Sequence, residues 1–417
     1  MTIQPITVLD GKHIILGVTG SIAVYKAVDL ASKLTQAGAL VDVIMTEASR
    51  RFVAPITFEA VTGRPVYTSM WVTGAGALPT HIAHVGLGEG ADLLVIAPIT
   101  AHTIARLAGG LADDLLAVTV LAARCPVLIA PAMDGGMYAH PATQANLETL
   151  RARGVMVIEP EEGRFASDLT GKGRLPETPA LIGHIRRALG RGGALAGRRV
   201  VVTAGGTREP LDPVRVLTNR SSGKQGYALA QAALDAGADV TLISTVSELP
   251  APVGAALVAV ETAAQMRNAV LEHVIGADAL LMAAAVADYR PAEAAAHKLK
   301  KSGAAAETRT LTLVRTPDIL GEVSEQRPHS GWPRVVVGFA AESEDLLRNA
   351  QEKLRRKRLD LIVANDITAP DAGFAVETNR VTLLDAQGNV EPLELASKAR
   401  VAEQVITRVA RLLNARG

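Results

Sequence analysis

The chain has 417 residues, enough for two or three domains, and its 43 Lys and Arg are balanced by 42 Asp and Glu. A net charge of +1, with only two Trp, five Tyr and five Phe, argues against a surface that binds nucleic acid. No apolar run reaches the roughly 18 residues of a membrane helix, the N-terminus lacks a signal-peptide pattern, and the single cysteine, Cys125, excludes a disulfide framework. We therefore expect a cytoplasmic α/β protein.

The first half opens with a predicted βαβ unit. Apolar runs at 12–16 and 41–45 predict strands, and the periodic segment 22–36 between them predicts a helix. The turn GVTGS at 17–21 joins the first strand to this helix and places Ser21 at its start. The turn lacks the G-x-G-x-x-G pattern of NAD sites, and no acidic residue ends the second strand. We therefore expect a mononucleotide such as FMN, with its one phosphate on Ser21 and nearby amides.

Two further buried strands are predicted at 93–96 and 127–130. The first is followed by APITAH and the second by PAMDGGMY, and Thr46 follows the strand at 41–45 in the same way. Helices are predicted at 101–108, 113–123 and 141–153. Successive strands that end in polar or proline-rich loops are typical of an open, doubly wound sheet whose ligand crevice lies at the strand ends.

A glycine- and arginine-rich segment at 190–199 is the predicted linker between a domain at 1–189 and a domain at 200–417. The second domain begins with VVVTAGGTREPLDPVRVLTNRSSGKQG at 200–226. Its first residues predict a buried strand, and its two prolines predict an ordered loop over 208–219. Serines before the predicted helix at 227–236 favour phosphate binding at the helix start, although an ordinary helix cap has the same pattern.

The remainder of the second half continues the alternation of strands and helices. Strands are predicted at 239–243, 280–284, 335–339 and 361–364, an edge strand at 380–384, and helices at 343–358 and 395–413. The charged, small-residue segment that runs to position 305 carries Lys298, Lys300 and Lys301. It predicts either a mobile flap that closes over a triphosphate or a solvated run of charge.

The string at 200–226 closely resembles the ligase half of the bifunctional phosphopantothenoylcysteine decarboxylase and phosphopantothenate–cysteine ligase family of coenzyme A biosynthesis. GVTGSIAVYK, the loop at 97–102 and PAMDGGMY resemble the flavin and substrate motifs of flavin-dependent cysteine decarboxylases. The resemblance covers nearly the whole chain. It implies two Rossmann-like α/β domains: a flavodoxin-like, FMN-dependent decarboxylase followed by a CTP-dependent ligase that acts through an acyl-cytidylate.

For the decarboxylase, the resemblance implies that His84 is the candidate base, although without the surrounding motif a histidine before a glycine turn is usually solvated. The residues expected to contact FMN are Gly17, Thr19, Gly20, Ser21, Ile22, Thr46, Pro98 and Thr100. Asp134 stands where the family usually has asparagine, and Ser167 where many members have a cysteine acid. An ionised Asp134 would repel a substrate carboxylate unless its pKa is raised, and a serine is a weaker acid than a thiol. Asp113 and His102 replace common asparagines as milder departures.

For the ligase, the resemblance implies that Asn219 hydrogen-bonds the activated carboxyl, Arg215 orients it, and Lys298 neutralises charge on the phosphates. Asp288 would contact the ribose or Mg²⁺, which we expect to be carried by the triphosphate. The expected nucleotide contacts are Ala284, Asp288, Lys298, Pro317, Asp318, Ile319, Phe339, Lys353 and Lys357.

Two alternatives remain open from the sequence. In the first, the ligase is active while the N-terminal half binds FMN and oligomerises without decarboxylating; we expect instead an active decarboxylase in which Ser167 relays a proton. In the second, the chain is a nucleotide-dependent oxidoreductase, which the missing acidic residue after Met45 disfavours. The resemblance further implies a homo-oligomer with trimers of the flavin half and dimers of the ligase half, possibly a dodecamer.

Overall fold

The computed structural model describes residues 6–71, 83–165, 167–300, 309–342, 345–366 and 377–416. The chain divides into two compact units, Met1–Gly190 and Arg191–Gly417. The division falls inside the segment predicted as a linker, but that segment is not a free connection. Gly190 ends a helix, Leu195 is completely buried in the core of the second unit, and its N–H donates to Ala236 O at 2.8 Å.

The first unit is built on a six-stranded parallel sheet. In spatial order its strands are Val66–Tyr67, Leu40–Met45, His13–Val18, Leu93–Ile99, Val127–Pro131 and Met156–Val157. The direction of winding reverses between His13–Val18 and Leu93–Ile99, which is the position where doubly wound sheets bind their ligands. The predicted strand at 93–96 extends to Ile99 through a cis peptide bond between Ala97 and Pro98, so the loop after it is shorter than expected.

Helices cover both faces of this sheet, which explains why its strands are almost entirely apolar. Val24–Gln36 and Thr178–Gly190 contribute to the core on one face, and Ala101–Gly109, Leu115–Ala122 and Pro141–Ala152 contribute to the core on the other. The remaining helices are Ser49–Arg51 (a 3₁₀ turn), Pro55–Thr62, Ala83–Gly90 and Gly135–Ala139. An antiparallel hairpin, Glu161–Arg164 with Thr170–Arg174, lies outside the sheet.

The second unit contains an eight-stranded mixed sheet. In spatial order its strands are Ala255–Ala259, Asp239–Ser244, Arg199–Ala204, Ala279–Met282, Val335–Glu342, Leu361–Asp366, Val381–Asp385 and Val390–Pro392. The first six are parallel, and the last two are antiparallel to their neighbours. The predicted edge strand at 380–384 is wrong in its position. It pairs on both sides, and its successive residues Leu383 and Leu384 are both buried because helices cover both faces.

Among the described residues of this unit, five helices flank the sheet. Lys224–Asp235 and Lys398–Asn414 pack on one face, while Ala263–His273, Ile319–Ser330 and Leu346–Arg356 pack on the other. Two further short ladders join Tyr289–Pro291 to Leu313–Arg315 and Thr378–Asn379 to Ala396–Ser397. Among the residues that the structure describes, no helix is both long and apolar enough to cross a membrane.

The segment predicted as a loop at 208–219 contains a small hairpin. Arg208–Pro210 pairs with Val216–Thr218 in antiparallel register. Proline is tolerated here because Pro210 lies at the end of a two-stranded ladder, where its position does not need to donate a backbone N–H. The Asp212 carboxylate closes the turn by accepting the N–H groups of Val214 and Arg215 at 2.8 and 2.9 Å.

Gly226 allows the Lys224–Asp235 helix to approach the central strand of the second unit. A Cβ at this position would lie 2.5 Å from Ala204 Cβ and 2.7 Å from Thr203 O.

We expect Gly226→Ala to lower the free energy of unfolding of this unit by about 1–3 kcal/mol, because the backbones of the helix and the strand must move apart. Trp332 fluorescence during urea unfolding, in a Trp71→Phe background, measures this change in the second unit alone. Gly192→Ala is the matched control, because no atom of the described residues lies within 4 Å of its Cβ position. Equal losses of stability in the two variants would contradict the close-packing argument.

Candidate functional sites

In the first unit, the loops on either side of the winding reversal are hydrogen-bonded to each other. Thr19 follows the first strand and is almost fully buried. Its hydroxyl donates to Pro98 O at 2.9 Å and accepts the Thr100 N–H at 3.0 Å. Thr100 in turn caps the Ala101–Gly109 helix by accepting the Thr103 N–H. Three of the residues expected to contact FMN therefore form one connected structure at the sheet edge.

The turn at 19–21 is held tightly against its neighbours. A Cβ on Gly20 would lie 2.5 Å from Ala48 Cβ, and the Thr46 N–H donates to Val18 O at 3.0 Å. The Ser21 hydroxyl contacts Ala132 O at 3.4 Å and accepts the Ala23 N–H at 3.3 Å. The structure thus brings Ser21 to the start of the Val24–Gln36 helix, where backbone N–H groups and the helix dipole favour an anion.

Two other expected FMN residues differ in their surroundings. Ile22 is 62% exposed just before this helix, so an apolar side chain is available beside the turn at 19–21. Gly17 lies within its strand, where a Cβ would be 2.6 Å from Leu116 Cδ1. The absence of a side chain at Gly17 is therefore explained by internal packing.

Asp134 and Ser167, the two residues that differ from the family pattern, are joined by a hydrogen bond. Ser167 Oγ donates to Asp134 Oδ2 at 2.8 Å, although 33 residues separate them. The other carboxylate oxygen, Asp134 Oδ1, accepts the Gly136 N–H at 3.0 Å and caps the Gly135–Ala139 helix. Each oxygen of Asp134 therefore already accepts a hydrogen bond, and one of the two donors is the hydroxyl of Ser167.

A cavity of about 780 Å³ lies between the loop that contains Asp134 and the 161–174 hairpin. On its wall, Glu159 accepts hydrogen bonds from Arg151 at 2.6 Å, Lys172 at 2.6 Å and the Tyr138 hydroxyl at 2.9 Å. Burial opposes ionisation of Glu159, but the Lys172 and Tyr138 hydrogen bonds outweigh it and hold its pKa below the usual value. Burial, followed by the Glu159 contact, raises the pKa of Tyr138. Sequence reasoning did not identify this cluster.

His84 and Cys125 are not among the residues that line this cavity. His84 is half-buried in the Ala83–Gly90 helix, and among the described residues no hydrogen bond joins it to Asp134 or Ser167. Its assignment as the base remains a prediction. Cys125 is half-buried, and burial is the main cause that raises the pKa of its thiol. This is the behaviour expected of a structural cysteine.

In the second unit, a cavity of about 1280 Å³ opens where the parallel strands end. It is lined by nine of the residues predicted from the sequence. They are Asn219, Ala284, Asp288, Pro317, Asp318, Ile319, Phe339, Lys353 and Lys357. The carboxyl edge of the sheet therefore gathers residues from separate loops into one place, as doubly wound folds do.

Asn219 connects two of these loops. Its side-chain amide donates to Ala285 O and Val286 O, both at 3.3 Å. On the same side, the Thr207 hydroxyl accepts the Ala287 N–H at 2.9 Å. A Cβ on the adjacent Gly206 would lie 2.7 Å from Asn219 O, so only glycine permits this approach. The amide of Asn219 is consequently fixed at the cavity wall.

Cationic side chains also line this cavity. Lys353 Nζ donates to Phe339 O at 2.7 Å, and Lys357 is ion-paired with Asp318. Asp318 also caps the Ile319–Ser330 helix by accepting the Gly321 N–H at 3.0 Å. Burial lowers the pKa of Lys357. Arg315 and Arg356, which sequence reasoning did not single out, line the same cavity and add to its positive charge.

Arg215 and Lys298 are not among the residues that line this cavity. Arg215 Nε donates to Asp212 Oδ2 at 2.9 Å, and its guanidinium also donates to Leu299 O. The Leu299 N–H donates to Asp212 at 3.1 Å. Burial opposes ionisation of Asp212, but the Val214 N–H, the Arg215 guanidinium and the Leu299 N–H hold its pKa well below the usual value. In this structure Arg215 therefore fastens the segment that carries the exposed Lys298 to the hairpin. The orientation of the carboxyl by Arg215 and the neutralisation of phosphate charge by Lys298 remain predictions.

Several predicted features cannot be located. Lys301 and the remainder of the expected flap up to 305 lie outside the described residues, while Lys300 is described and exposed. Within the described ranges, no group of three or more His, Cys, Asp and Glu side chains could hold a metal ion. Asp288 is exposed at the cavity wall, so its assignment to Mg²⁺ or to the ribose also remains a prediction.

The same cavity has a further wall that sequence reasoning missed, formed by Gln225, Asn365, Asn379 and Lys398. The one signal available was the position of Asn365 directly after the apolar strand predicted at 361–364. The other three come together only through the tertiary fold.

Two family models match the chain: "Flavoprotein" over residues 4–190 and "DNA/pantothenate metabolism flavoprotein C-terminal domain" over residues 195–413. The coenzyme A biosynthesis bifunctional protein CoaBC of Bacillus subtilis is 46% identical over 407 residues, which covers 97% of this chain and 98% of that protein. CoaBC of Mycolicibacterium smegmatis is 46% identical over 413 residues, covering 96% and 98%. A crystal structure of the C-terminal domain of CoaBC is 37% identical and covers 54% of this chain and 99% of its own, with a TM-score of 0.45. Since the relatives match over almost their full length, the chain belongs to the family of coenzyme A biosynthesis bifunctional proteins.

Proposed function

We propose that the second unit joins 4′-phosphopantothenate to cysteine at the expense of CTP, and that the first unit decarboxylates the product to 4′-phosphopantetheine. The observation that carries the ligase assignment is the cavity of about 1280 Å³, which gathers nine predicted site residues at the carboxyl edge of the sheet. The full-length match to bifunctional relatives favours this proposal over a ligase that carries a decarboxylation-deficient module.

The first ligase step transfers the cytidylyl group. A carboxylate oxygen of 4′-phosphopantothenate attacks the α-phosphorus of CTP, the bond to the β-phosphate oxygen breaks, and pyrophosphate leaves. Asn219 holds its amide at the wall where the carboxyl would bind, while Lys353 and Lys357 provide positive charge for the phosphates. Fixed positive charge is usually the main catalytic contribution in such transfers. Mg²⁺ would arrive with the triphosphate, with Asp288 as its candidate contact.

The second ligase step forms the amide. The neutral amine of cysteine attacks the acyl carbon, the bond between that carbon and the cytidylate oxygen breaks, and CMP leaves with the electron pair. The proton that the new amide nitrogen loses passes to solvent. The segment that carries Lys298 is held by Arg215 and Asp212, and Lys298 itself is exposed to solvent. This segment is the candidate cover of the ligase cavity during the second step.

The residues of the first unit fit a flavin mononucleotide. Ser21 lies at the start of the Val24–Gln36 helix, suited to one phosphate, and the exposed Ile22 lies beside it. Thr19, Gly20, Thr46, Pro98 and Thr100 would position the group, and Gly17 would keep the strand close to its neighbours. When bound, FMN supplies reversible two-electron chemistry, which permits oxidation and later reduction of the substrate without an external oxidant.

Protein groups would handle the protons of the decarboxylation. Ser167 Oγ is hydrogen-bonded to Asp134, so the pair can transfer a proton between substrate and carboxylate. His84 is the proposed base, although the described contacts do not connect it to this pair. We further propose a cytoplasmic homo-oligomer, with trimers of flavin units joined through dimers of ligase units, possibly as a dodecamer.

We expect Asn219→Ala to slow the ligase reaction by about 10²-fold or more, because the side chain that fixes the loop of Ala285 and Val286 at the cavity wall is lost and the reacting groups are then misplaced. Pyrophosphate release in the presence of 4′-phosphopantothenate, cysteine and CTP measures the effect. Decarboxylation of supplied 4′-phosphopantothenoylcysteine should be unchanged in the same preparation, and Arg411→Ala, on the terminal helix, is a distant control. A ligase rate equal to that of the unmodified protein would contradict the role of Asn219.

We expect Ser167→Ala to slow decarboxylation by about 10²–10⁴-fold, the usual contribution of a positioned proton donor. Carbon dioxide release from 4′-phosphopantothenoylcysteine measures the rate. Ser167→Cys should retain or exceed the original rate because a thiol is a stronger acid than a hydroxyl. Thr149→Ala, which removes an exposed hydroxyl from the same unit, should leave the rate unchanged. Unchanged activity in Ser167→Ala would show that protons take another route.

We expect Ser21→Asp to abolish FMN binding, because a carboxylate would repel the phosphate at the helix start. Flavin released by acid from the purified protein and identified by mass provides the measurement. Gln36→Glu adds the same charge at the other end of the same helix and should retain the flavin. Full occupancy in Ser21→Asp would contradict the assignment of the phosphate to this turn.

A further inference from the structure

Three side chains that line the ligase cavity carry a buried amide oxygen for which the described residues provide no hydrogen-bond donor. Within the described residues, Gln225 Oε1, Asn365 Oδ1 and Asn379 Oδ1 accept no hydrogen bond. Asn365 is only 9% exposed and Asn379 only 5%. Buried polar atoms are almost always hydrogen-bonded because an unpaired one is costly. Three of them on the wall of one cavity indicate that a ligand supplies the missing donors.

The fold brings these oxygens together from separate elements. Asn365 is near the carboxyl end of the parallel strand Leu361–Asp366, and Asn379 lies in the short ladder that leads to Lys398. Gln225 is in the first turn of the Lys224–Asp235 helix, and its side-chain N–H donates to Lys398 O at 3.3 Å. We call Gln225, Asn365, Asn379 and Lys398 the amide subsite.

Lys398 gives the subsite a cation. It begins the Lys398–Asn414 helix and is only 6% exposed, and burial is the main cause that lowers the pKa of its ammonium. Two helices, Lys224–Asp235 and Lys398–Asn414, begin at this wall, and their N-terminal dipoles also favour a negative group. The subsite therefore combines three hydrogen-bond acceptors with a place for an anion.

A zwitterionic amino acid matches this combination. An α-ammonium supplies N–H donors for amide oxygens, and an α-carboxylate pairs with a lysine ammonium. The bound ammonium would lose one proton to solvent before its nitrogen, then a neutral amine, attacks the acyl carbon. We propose that the amide subsite binds the amino and carboxylate groups of cysteine, the second substrate of the ligase. The inference rests on the proposed function of the second unit. The side chains assigned to the first substrates, Asn219, Lys353 and Lys357, are other residues of the same cavity lining.

The two ligase half-reactions allow a direct test in the full-length protein. Without cysteine, exchange of labelled pyrophosphate into CTP that requires 4′-phosphopantothenate reports the first step alone. With cysteine, amide formation reports both steps. We expect Asn379→Ala, Asn365→Ala and Lys398→Met each to raise the KM for cysteine about ten- to a hundredfold, the effect of losing a hydrogen bond to a charged group. Exchange should stay within about twofold of the original rate, which also shows that each variant is folded.

Asn268→Ala is the matched control, because Asn268 is an exposed asparagine of the same unit that does not line the cavity. Lys398→Arg should retain most of the affinity for cysteine because it retains the charge. A raised KM for 4′-phosphopantothenate with slowed exchange would assign the subsite to the phosphate of that substrate and overturn the proposal.

Two other outcomes separate the remaining explanations. A change in oligomeric state of the variants, measured by sedimentation, would show that a second copy of the chain covers these oxygens, and would also overturn the proposal. An unchanged KM for cysteine in the amide-subsite variants would also overturn the proposal. If the unmodified protein shows no exchange, the proposed ligase function itself fails, and the two failures are thereby distinguished.

Discussion

Side chains that hydrogen-bond to the backbone at the carboxyl edge of each sheet are the interaction on which both sites depend. The strands of a parallel sheet end together, and the loops that follow them have no ladder to hold them in place. In the first unit Thr19 joins the loops that contain Pro98 and Thr100. In the second unit Asn219 holds the loop that contains Ala285 and Val286. Each site is thus positioned by a polar side chain that replaces missing strand pairing.

Buried or partly buried carboxylates extend this organisation beyond the sheets. Asp212 connects the hairpin around it to Arg215 and Leu299, and so determines where the lysine-bearing segment begins. Asp134 connects a strand-end loop to Ser167 on the neighbouring hairpin connection. In both cases one carboxylate accepts hydrogen bonds from its own loop and from one distant segment, and so ties the two together.

The central strands and nine of the residues that line the cavity of the second unit were predictable from the sequence, because strands buried on both faces are continuous apolar runs with polar residues at their ends. The hairpin around Asp212 was missed since its prolines are also typical of loops, and the strand Val381–Asp385 was wrongly placed at an edge because a short apolar run does not reveal its partners. The pairing of Ser167 with Asp134 and the wall formed by Asn379 and Lys398 depend on contacts between distant segments. No local pattern encodes such contacts.

The central claim is that one chain carries two successive activities that share an intermediate. Mass spectrometry of the products formed by the purified protein from 4′-phosphopantothenate, cysteine, CTP and Mg²⁺ tests it most directly. The account predicts that 4′-phosphopantetheine accumulates. A reaction that stops at 4′-phosphopantothenoylcysteine would contradict the role given to Asp134 and Ser167 in the first unit. The absence of any amide product would contradict the account as a whole.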